Sequence, residues 1–515
     1  MFSGTIKIAS LDDYISPSQE CILPIFDKNS KLKTTEDPTV KAYGMIPQKP
    51  DLIKKTAKQT AKVTLSDCLA CSGCVTTAET ILQQQQSVEE FLLKLQSYKH
   101  AVVGISQQAR ASMAYHFGLS EEHIQRALTY FFQDQLNVQY VFDMRFANQL
   151  VLEQAYREFK KRYENKQSVP VLSSECPGWA CYAEKAVGEF VIPYMSQVKS
   201  PQQVMGSLVK NSLASKMGIE SKDILFVSVM PCYDKKVESA RKEFERNGIK
   251  DVDVVLTAQE IMDLLKKVEG QKLVDVQEQI KQAQTNVNNS NDEESKNELI
   301  SKEREYIENN IFPYENLDIS RIVVSNIEEY LFGDSQTFDQ LLLPILSNIF
   351  DSTIGSNDYL DYIIRRAASD IHHLNPDQYE IITKQGKNSD FNEIFLVKDG
   401  ANILSFARVY GLRNIQNIIR NLRQNKCKYD YIEIMACPSG CLNGGGQLKS
   451  LDENMKTKDL IEKLQEILRK KSVISNDQNY NNLAFQQIIR DSTNIYFETI
   501  FKHIEKLNTQ SSLNW

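Results

Sequence analysis

A chain of 515 residues with a net charge of −7 and a pI near 5.6 is long enough for two or three domains with sizeable buried cores, and its charge makes no case for a general nucleic-acid or anionic-membrane binder. The start, from Met1 to Ile8, lacks the basic-then-apolar order of a signal peptide, and no apolar run approaches the ~20 residues of a membrane span, so a soluble intracellular protein is expected. Thiols stay reduced in that compartment, so ten cysteines gathered in motifs point to metal ligation before disulfides.

In chain order, residues 1–50 carry prolines at 17, 24, 38, 47 and 50 and little periodicity, and they read as irregular; Cys21 lies among them. Cys68, Cys71 and Cys74 follow, with two residues between successive thiols and Gly73 to relieve crowding. Three thiolates at that spacing wrap one iron–sulfur cube, and they match the first three ligands of the bacterial ferredoxin run. The position of that run's fourth cysteine holds Ala78. A fourth ligand must come from elsewhere, and Cys21, the nearest unassigned thiol, is nominated by exclusion. Zinc competes for such a site, although structural zinc usually takes two separated pairs of ligands.

Beyond Thr80 helix and strand alternate. The spacing predicts an amphipathic helix over 87–98, a buried parallel strand over 101–106, helices over 120–133 and 146–163, and strands over 140–142, 169–173 and 224–229. A strand over 253–257 runs into a helix over 258–267, after which 269–310 is too rich in Gln, Asn, Glu, Lys and Ser to bury a core. Helix is expected again over 359–368, strand over 379–383 and 394–397, and helix over 403–422 with Gly411 kinking or dividing it. A strand over 429–434 precedes the glycine-rich stretch 434–447, and helices over 456–471 and 483–507 close the chain before a polar tail ending on Trp515.

Cysteines recur where these strands end: Cys176 before Pro177, Cys232 after Pro231, and Cys437 and Cys441 within the glycine-rich stretch. Strand ends are where open α/β sheets build their sites, glycine lets the backbone approach a large inorganic body, and thiolates are ligands that iron–sulfur clusters and zinc select. Any one of the four, taken alone, also suits a small buried hydrophobe. Together they form a second candidate ligand set. Cys181 and Cys427 read as incidental.

These motifs carry a resemblance. Cys176-Pro177-Gly178-Trp179, Ser200-Pro201-Gln202-Gln203, Met230-Pro231-Cys232 with Lys235 and Glu238, and Met435-Ala436-Cys437 through Gly446-Gln447 are similar, in order and surroundings, to the signatures of iron-only hydrogenases. More closely, the chain resembles the hydrogenase-like Nar family, also called nuclear prelamin A recognition factor-like proteins, of cytosolic iron–sulfur protein assembly. The resemblance implies an α/β hydrogenase-like body of two lobes, with parallel sheets around a buried cluster and a small N-terminal ferredoxin-like segment. It implies two 4Fe-4S clusters, one on Cys21, Cys68, Cys71 and Cys74 and one on Cys176, Cys232, Cys437 and Cys441. It further implies a cytoplasmic location, with the nucleus open as a second one, and no catalytic residues. The expected partners are an early P-loop NTPase scaffold and a late targeting complex whose WD-repeat subunit takes a terminal aromatic, here Trp515 in Leu513-Asn514-Trp515; Asn514 departs from the family's acidic or serine residue.

The expected divisions are 1–85 for the N-terminal cluster, 86–268 for the first lobe, 269–312 for a polar insertion, 313–475 for the second lobe, and 476–515 for a helix and tail. Two alternatives remain. A hydrogenase or related redox enzyme is disfavoured because Glu175 stands where the resemblance places a proton-shuttling cysteine, although Lys235 matches a lysine that contacts a diatomic ligand there. A simple electron carrier is disfavoured because the body is far larger than that task needs.

Overall fold

The computed structural model describes residues 86–167, 169–269, 359–386, 388–452, 454–469 and 498–502. Cys21, Cys68, Cys71, Cys74 and Trp515 lie outside the described residues, as does nearly all of the polar insertion expected over 269–312.

From the N-terminal side the chain forms α1 (Val88–Ser97), β1 (His100–Ile105), α2 (Gln107–Phe117), α3 (Glu121–Tyr130), β2 (Tyr140–Asp143), α4 (Arg145–Glu164) and β3 (Val171–Ser173). It continues through α5 (Pro177–Tyr182), α6 (Pro201–Ser207), β4 (Ile224–Met230), α7 (Asp234–Ser239), β5 (Val254–Thr257) and α8 (Ala258–Glu269). The later elements are α9 (Tyr359–Asp370), β6 (Glu380–Gln385), β7 (Phe391–Lys398), β8 (Ala401–Tyr410), α10 (Leu412–Arg423), β9 (Tyr431–Met435) and α11 (Thr457–Arg469). Serine caps set the first helix starts: the hydroxyls of Ser87, Ser106 and Ser120 each accept a backbone N–H three residues on.

Two sheets result. The first is parallel throughout, in the order β2-β1-β4-β5; the second runs β3-β9-β8-β7-β6, its first three strands parallel and its last two antiparallel. Alternate residues of each strand face opposite ways, so β1 sends Val102 to a core shared with the second sheet and Val103 and Ile105 to an outer one. Helices α4, α6 and α9 fill the space between the sheets, with Leu150, Phe159, Met205 and Ile363 meeting Phe226 from β4 and Phe406 and Tyr431 from the second sheet. Helices α1, α2, α3 and α8 cover the outer face of the first sheet, and α5 and α10 that of the second through Trp179, Ile418 and Leu422. The layers are therefore helix, sheet, helix, sheet, helix. Covered on both faces, the strands need continuous apolar runs, and the seven residues of β4 are all buried.

The two-lobed α/β body expected from the resemblance is present, with differences. Strand β3 lies within the stretch assigned to the first lobe, yet it pairs with β9 in the second sheet, Leu172 opposite Ile432, so sheet membership crosses the division expected at 268. The helix expected over 403–422 is half strand: β8 runs to Tyr410, and helix α10 begins only after Gly411 at φ +79°. The helix expected over 483–507 has only residues 498–502 described, and these are not helical, Glu498 forming an antiparallel bridge to Val198. Helix α2 was not anticipated. Among the described residues no helix is long and apolar enough to cross a membrane.

Candidate metal centre

Each cysteine of the second candidate set follows a strand. Cys176 follows β3 and is the N-cap of α5, Cys232 lies between β4 and α7, and Cys437 and Cys441 follow β9. Because β3 and β9 are neighbours, two of these turns emerge side by side: Ser174 Oγ donates to the Ile434 carbonyl at 2.5 Å and accepts the Cys176 N–H at 3.0 Å. The Ala436 N–H in turn donates to Cys176 Sγ at 3.4 Å.

The glycine-rich loop brings in the other sheet. Gly446 N–H donates to the Pro231 carbonyl at 3.0 Å, and the Gln447 amide and Leu448 N–H bond to the Gln108 carbonyl and Ser112 Oγ of α2, each at 2.9 Å. A Cβ on Gly444 would stand 2.4 Å from the Pro231 carbonyl oxygen, and one on Gly446 would stand 2.5 Å from Thr257 Cγ2. Both positions need glycine because neighbouring chain fills the place of a side chain. Cys232 and the Cys437–Cys441 loop are thereby held together although they belong to different sheets.

The four thiols share one electrostatic environment. Burial pushes the Cys232 thiol well above its ordinary range, and Asp234, Cys176 and Cys437 push it further; burial does the same to Cys441, reinforced by Glu175, Cys176 and Cys232. Cys176 is raised by burial and by Asp234, against the hydrogen bonds that its sulfur accepts from backbone N–H groups. Lys235 is the cation beside this set: its Nζ donates to the Glu175 carbonyl at 2.7 Å and to Glu238 Oε2 at 2.8 Å, while Ser200 Oγ donates to Glu238 Oε1. Glu175 turns its carboxylate to the thiol of Cys441, with Sγ and Oε1 3.3 Å apart. Burial raises Tyr359 as well, and its next largest influence is Glu175.

The donor set fits an iron–sulfur cluster. Four mutually repelling thiolates with Lys235 as the cation beside them need positive charge at their centre, which metal ions supply, and a backbone N–H already points at one sulfur. Among the described residues no three His, Cys, Asp or Glu side chains converge as ligands of a single metal ion. Cys181 and Cys427 belong to none of the three turns, and burial raises the Cys427 thiol. Sequence reasoning missed Asp234 and Tyr359. Asp234 was legible as an acid two residues from Cys232, whereas nothing in the local sequence marks Tyr359, which reaches the site from α9.

A profile for "Iron only hydrogenase large subunit, C-terminal domain" matches residues 99–445. Among solved structures, an apo FeFe-hydrogenase from Chlamydomonas reinhardtii superposes with a TM-score of 0.55 at 22% identity, covering 81% of this chain and 98% of that one, which establishes likeness of fold. "Cytosolic Fe-S cluster assembly factor narfl" of Xenopus tropicalis is 37% identical over 90% of this chain and 88% of its own. "Protein NAR1" of Arabidopsis thaliana is 35% identical over 100% and 99%, and "Cytosolic iron-sulfur assembly component 3" of Mus musculus is 36% identical over 91% and 89%. With relatives this similar over nearly their whole length, and with three strand-end turns that gather four thiols between two sheets, the chain belongs to the Nar family of iron-only-hydrogenase-like proteins.

Proposed function

We propose that this chain is an iron–sulfur-binding component of the cytosolic iron–sulfur protein assembly machinery, standing between an early P-loop NTPase scaffold and a late targeting complex, and that it is not a hydrogenase. The observation that carries the reading is the convergence of Cys176, Cys232, Cys437 and Cys441 at the ends of β3, β4 and β9, on a chain whose relatives are named as assembly factors. These four residues would hold one 4Fe-4S cluster, and Cys21, Cys68, Cys71 and Cys74 a second. When bound, such clusters supply redox-active iron held by thiolates. The chain's own part is to hold four half-buried cysteines from two sheets and to donate the Ala436 N–H to one of their sulfurs. Glu175 beside Cys441 supports the non-hydrogenase reading, since a carboxylate there differs in geometry and resting charge from a shuttling thiol. Trp515 at the end of the tail is proposed to engage the WD-repeat subunit of the targeting complex, in the cytoplasm.

The experiment is an infrared spectrum of anaerobically purified, iron-replete protein together with its iron and sulfide content. A spectrum blank where metal-bound carbon monoxide and cyanide absorb, from protein holding about eight iron and eight sulfide, is expected. Cys71→Ser and Cys441→Ser should each remove about half of both, and Cys441→Ser should impair folding as well. Carbonyl or cyanide bands would transfer the assignment to a hydrogenase-type centre, and cluster-free but functional Cys441→Ser protein would remove the second cluster from the reading.

A further inference from the structure

The short stretch 498–502 touches residues just beyond the two helices that follow Cys176 and Cys232. Glu498 bridges antiparallel to Val198, the Thr499 N–H donates to the Gln197 carbonyl at 2.7 Å, and the Lys502 N–H donates to Glu184 Oε1 at 3.1 Å. Thr499 is only 4% exposed, so the segment is seated in the body. Phe501 packs against the core that Cys176 also borders, and the Arg241 guanidinium lies over its ring at 5.7 Å. Glu184 sits on the π-helical turn Ala183–Val187, which continues α5 from Cys176, and Arg241 lies just after α7, which follows Cys232. These two residues form a bidentate ion pair of 2.9 and 2.7 Å. That pair is a cross-tie between the two cysteine-bearing elements, and residues 498–502 lie directly against it.

We propose that residues 498–502 form a strap that keeps the Cys176 helix and the Cys232 helix in register, so that retention of iron at Cys176, Cys232, Cys437 and Cys441 depends on the strap being seated. This rests on the assignment of a cluster to those four cysteines. The Lys502 amide gives Glu184 a hydrogen bond that the ion pair alone does not, and the Phe501 ring keeps water off the guanidinium, where an ion pair left to solvent contributes little. Sulfurs carried on two elements hold one rigid body only while the elements keep their spacing.

The test uses the full chain carrying Cys71→Ser, so that only iron of the four-cysteine site is counted. Thr499→Pro removes the N–H donated to Gln197, Lys502→Pro the N–H donated to Glu184, and Phe501→Ala the ring under Arg241. Ile500→Ser alters a side chain that is 61% exposed and serves as the control. Anaerobic transfer of iron to an excess of a coloured ferrous chelator is timed, with circular dichroism to check the fold. Each of the first three should lose iron about fivefold faster than the parent, the factor carried by roughly one net hydrogen bond in the two proline variants and by roughly one cation–π contact in Phe501→Ala, while Ile500→Ser matches the parent. If Thr499→Pro does not fold, Phe501→Ala and Lys502→Pro decide. Rates within twofold of the parent in folded variants overturn the strap and leave the cluster assignment standing. A Cys71→Ser parent that binds no iron overturns that assignment, and the strap with it.

Discussion

Gly444→Ala tests how the two sheets are joined at the thiols. Gly444 has φ −64° and ψ 143°, a conformation that any residue adopts, so alanine brings no backbone strain and its effect is purely one of space. Its Cβ would stand 2.4 Å from the Pro231 oxygen and 2.9 Å from the Pro231 carbonyl carbon. Ordinary contact demands a retreat of about 1 Å. Neither atom is the free end of a side chain, so the peptide that carries Cys232 has to move as a unit. That retreat stretches the Gly446 N–H bond to Pro231, now 3.0 Å, past useful length. Overpacking of this kind costs ~1–3 kcal/mol and the lost hydrogen bond ~1 kcal/mol, giving about 2–4 kcal/mol. The urea midpoint should fall accordingly, and iron bound by the Cys71→Ser protein should fall with it, because the displacement separates Cys232 from Cys441. Gly178→Ala is the graded comparison. Its Cβ meets the end of the Asp234 side chain at 3.0 Å, which can turn aside, so it should cost less than half as much. Wild-type stability and iron content in Gly444→Ala protein would refute the claim that the Pro231 contact sets the spacing of the ligands.

Three further expectations concern a buried ion pair, a buried histidine and two half-buried cysteines. Lys199 Nζ is paired with Asp251 at 2.6 Å and donates to Ser207 Oγ at 3.0 Å with its side chain fully buried, so Asp251→Ala should cost about 3–5 kcal/mol by leaving an uncompensated charge. In the same denaturation assay the double change Lys199→Met with Asp251→Leu should recover most of that loss. Burial lowers His116 from 6.5 to about 4, with Lys266 adding to the effect. The folded state therefore keeps this imidazole neutral while the unfolded chain takes up a proton first. Its contribution is complete above pH 6.5 and is lost as pH falls towards 4, by at most ~3 kcal/mol. Urea midpoints measured across that window should flatten in His116→Leu protein, and an unchanged slope would remove His116 as the cause. Cys181→Ser and Cys427→Ser should leave the iron and sulfide content at the parent value, measured by chemical analysis of purified protein.

The sites were legible where local pattern and tertiary role agree. Strands such as β1 and β4 showed as unbroken apolar runs because both faces of their sheets are covered, and each of the three motif turns does follow a strand end. Strand β8 was misread as helix for the same reason: its last seven residues are all buried, so no two-residue alternation marks it, and it abuts a true helix across Gly411. Residues 498–502 have local helical spacing, yet pairing with 197–198 holds them extended, an override that no local window contains. The contribution of Tyr359 was invisible because α9 reaches the thiols only through packing between the sheets. The triple Cys68, Cys71 and Cys74 is the most specific local signal in the chain, and it lies with Cys21 outside the described residues.

The pairing of β3 with β9 sets an order on the life of this protein. The Ala436 N–H and the Cys176 sulfur that it reaches are 260 residues apart in sequence, and the third and fourth thiols follow Ala436. No ribosome-bound chain can complete the four-thiol site until Cys441 has emerged, by which stage nearly the whole body has been made. Contacts of such long sequence separation form late and slowly. Through that interval the Cys176 and Cys232 thiols lack two of their neighbours, so a ligand that needs all four sulfurs finds them only after Cys441 has joined the body.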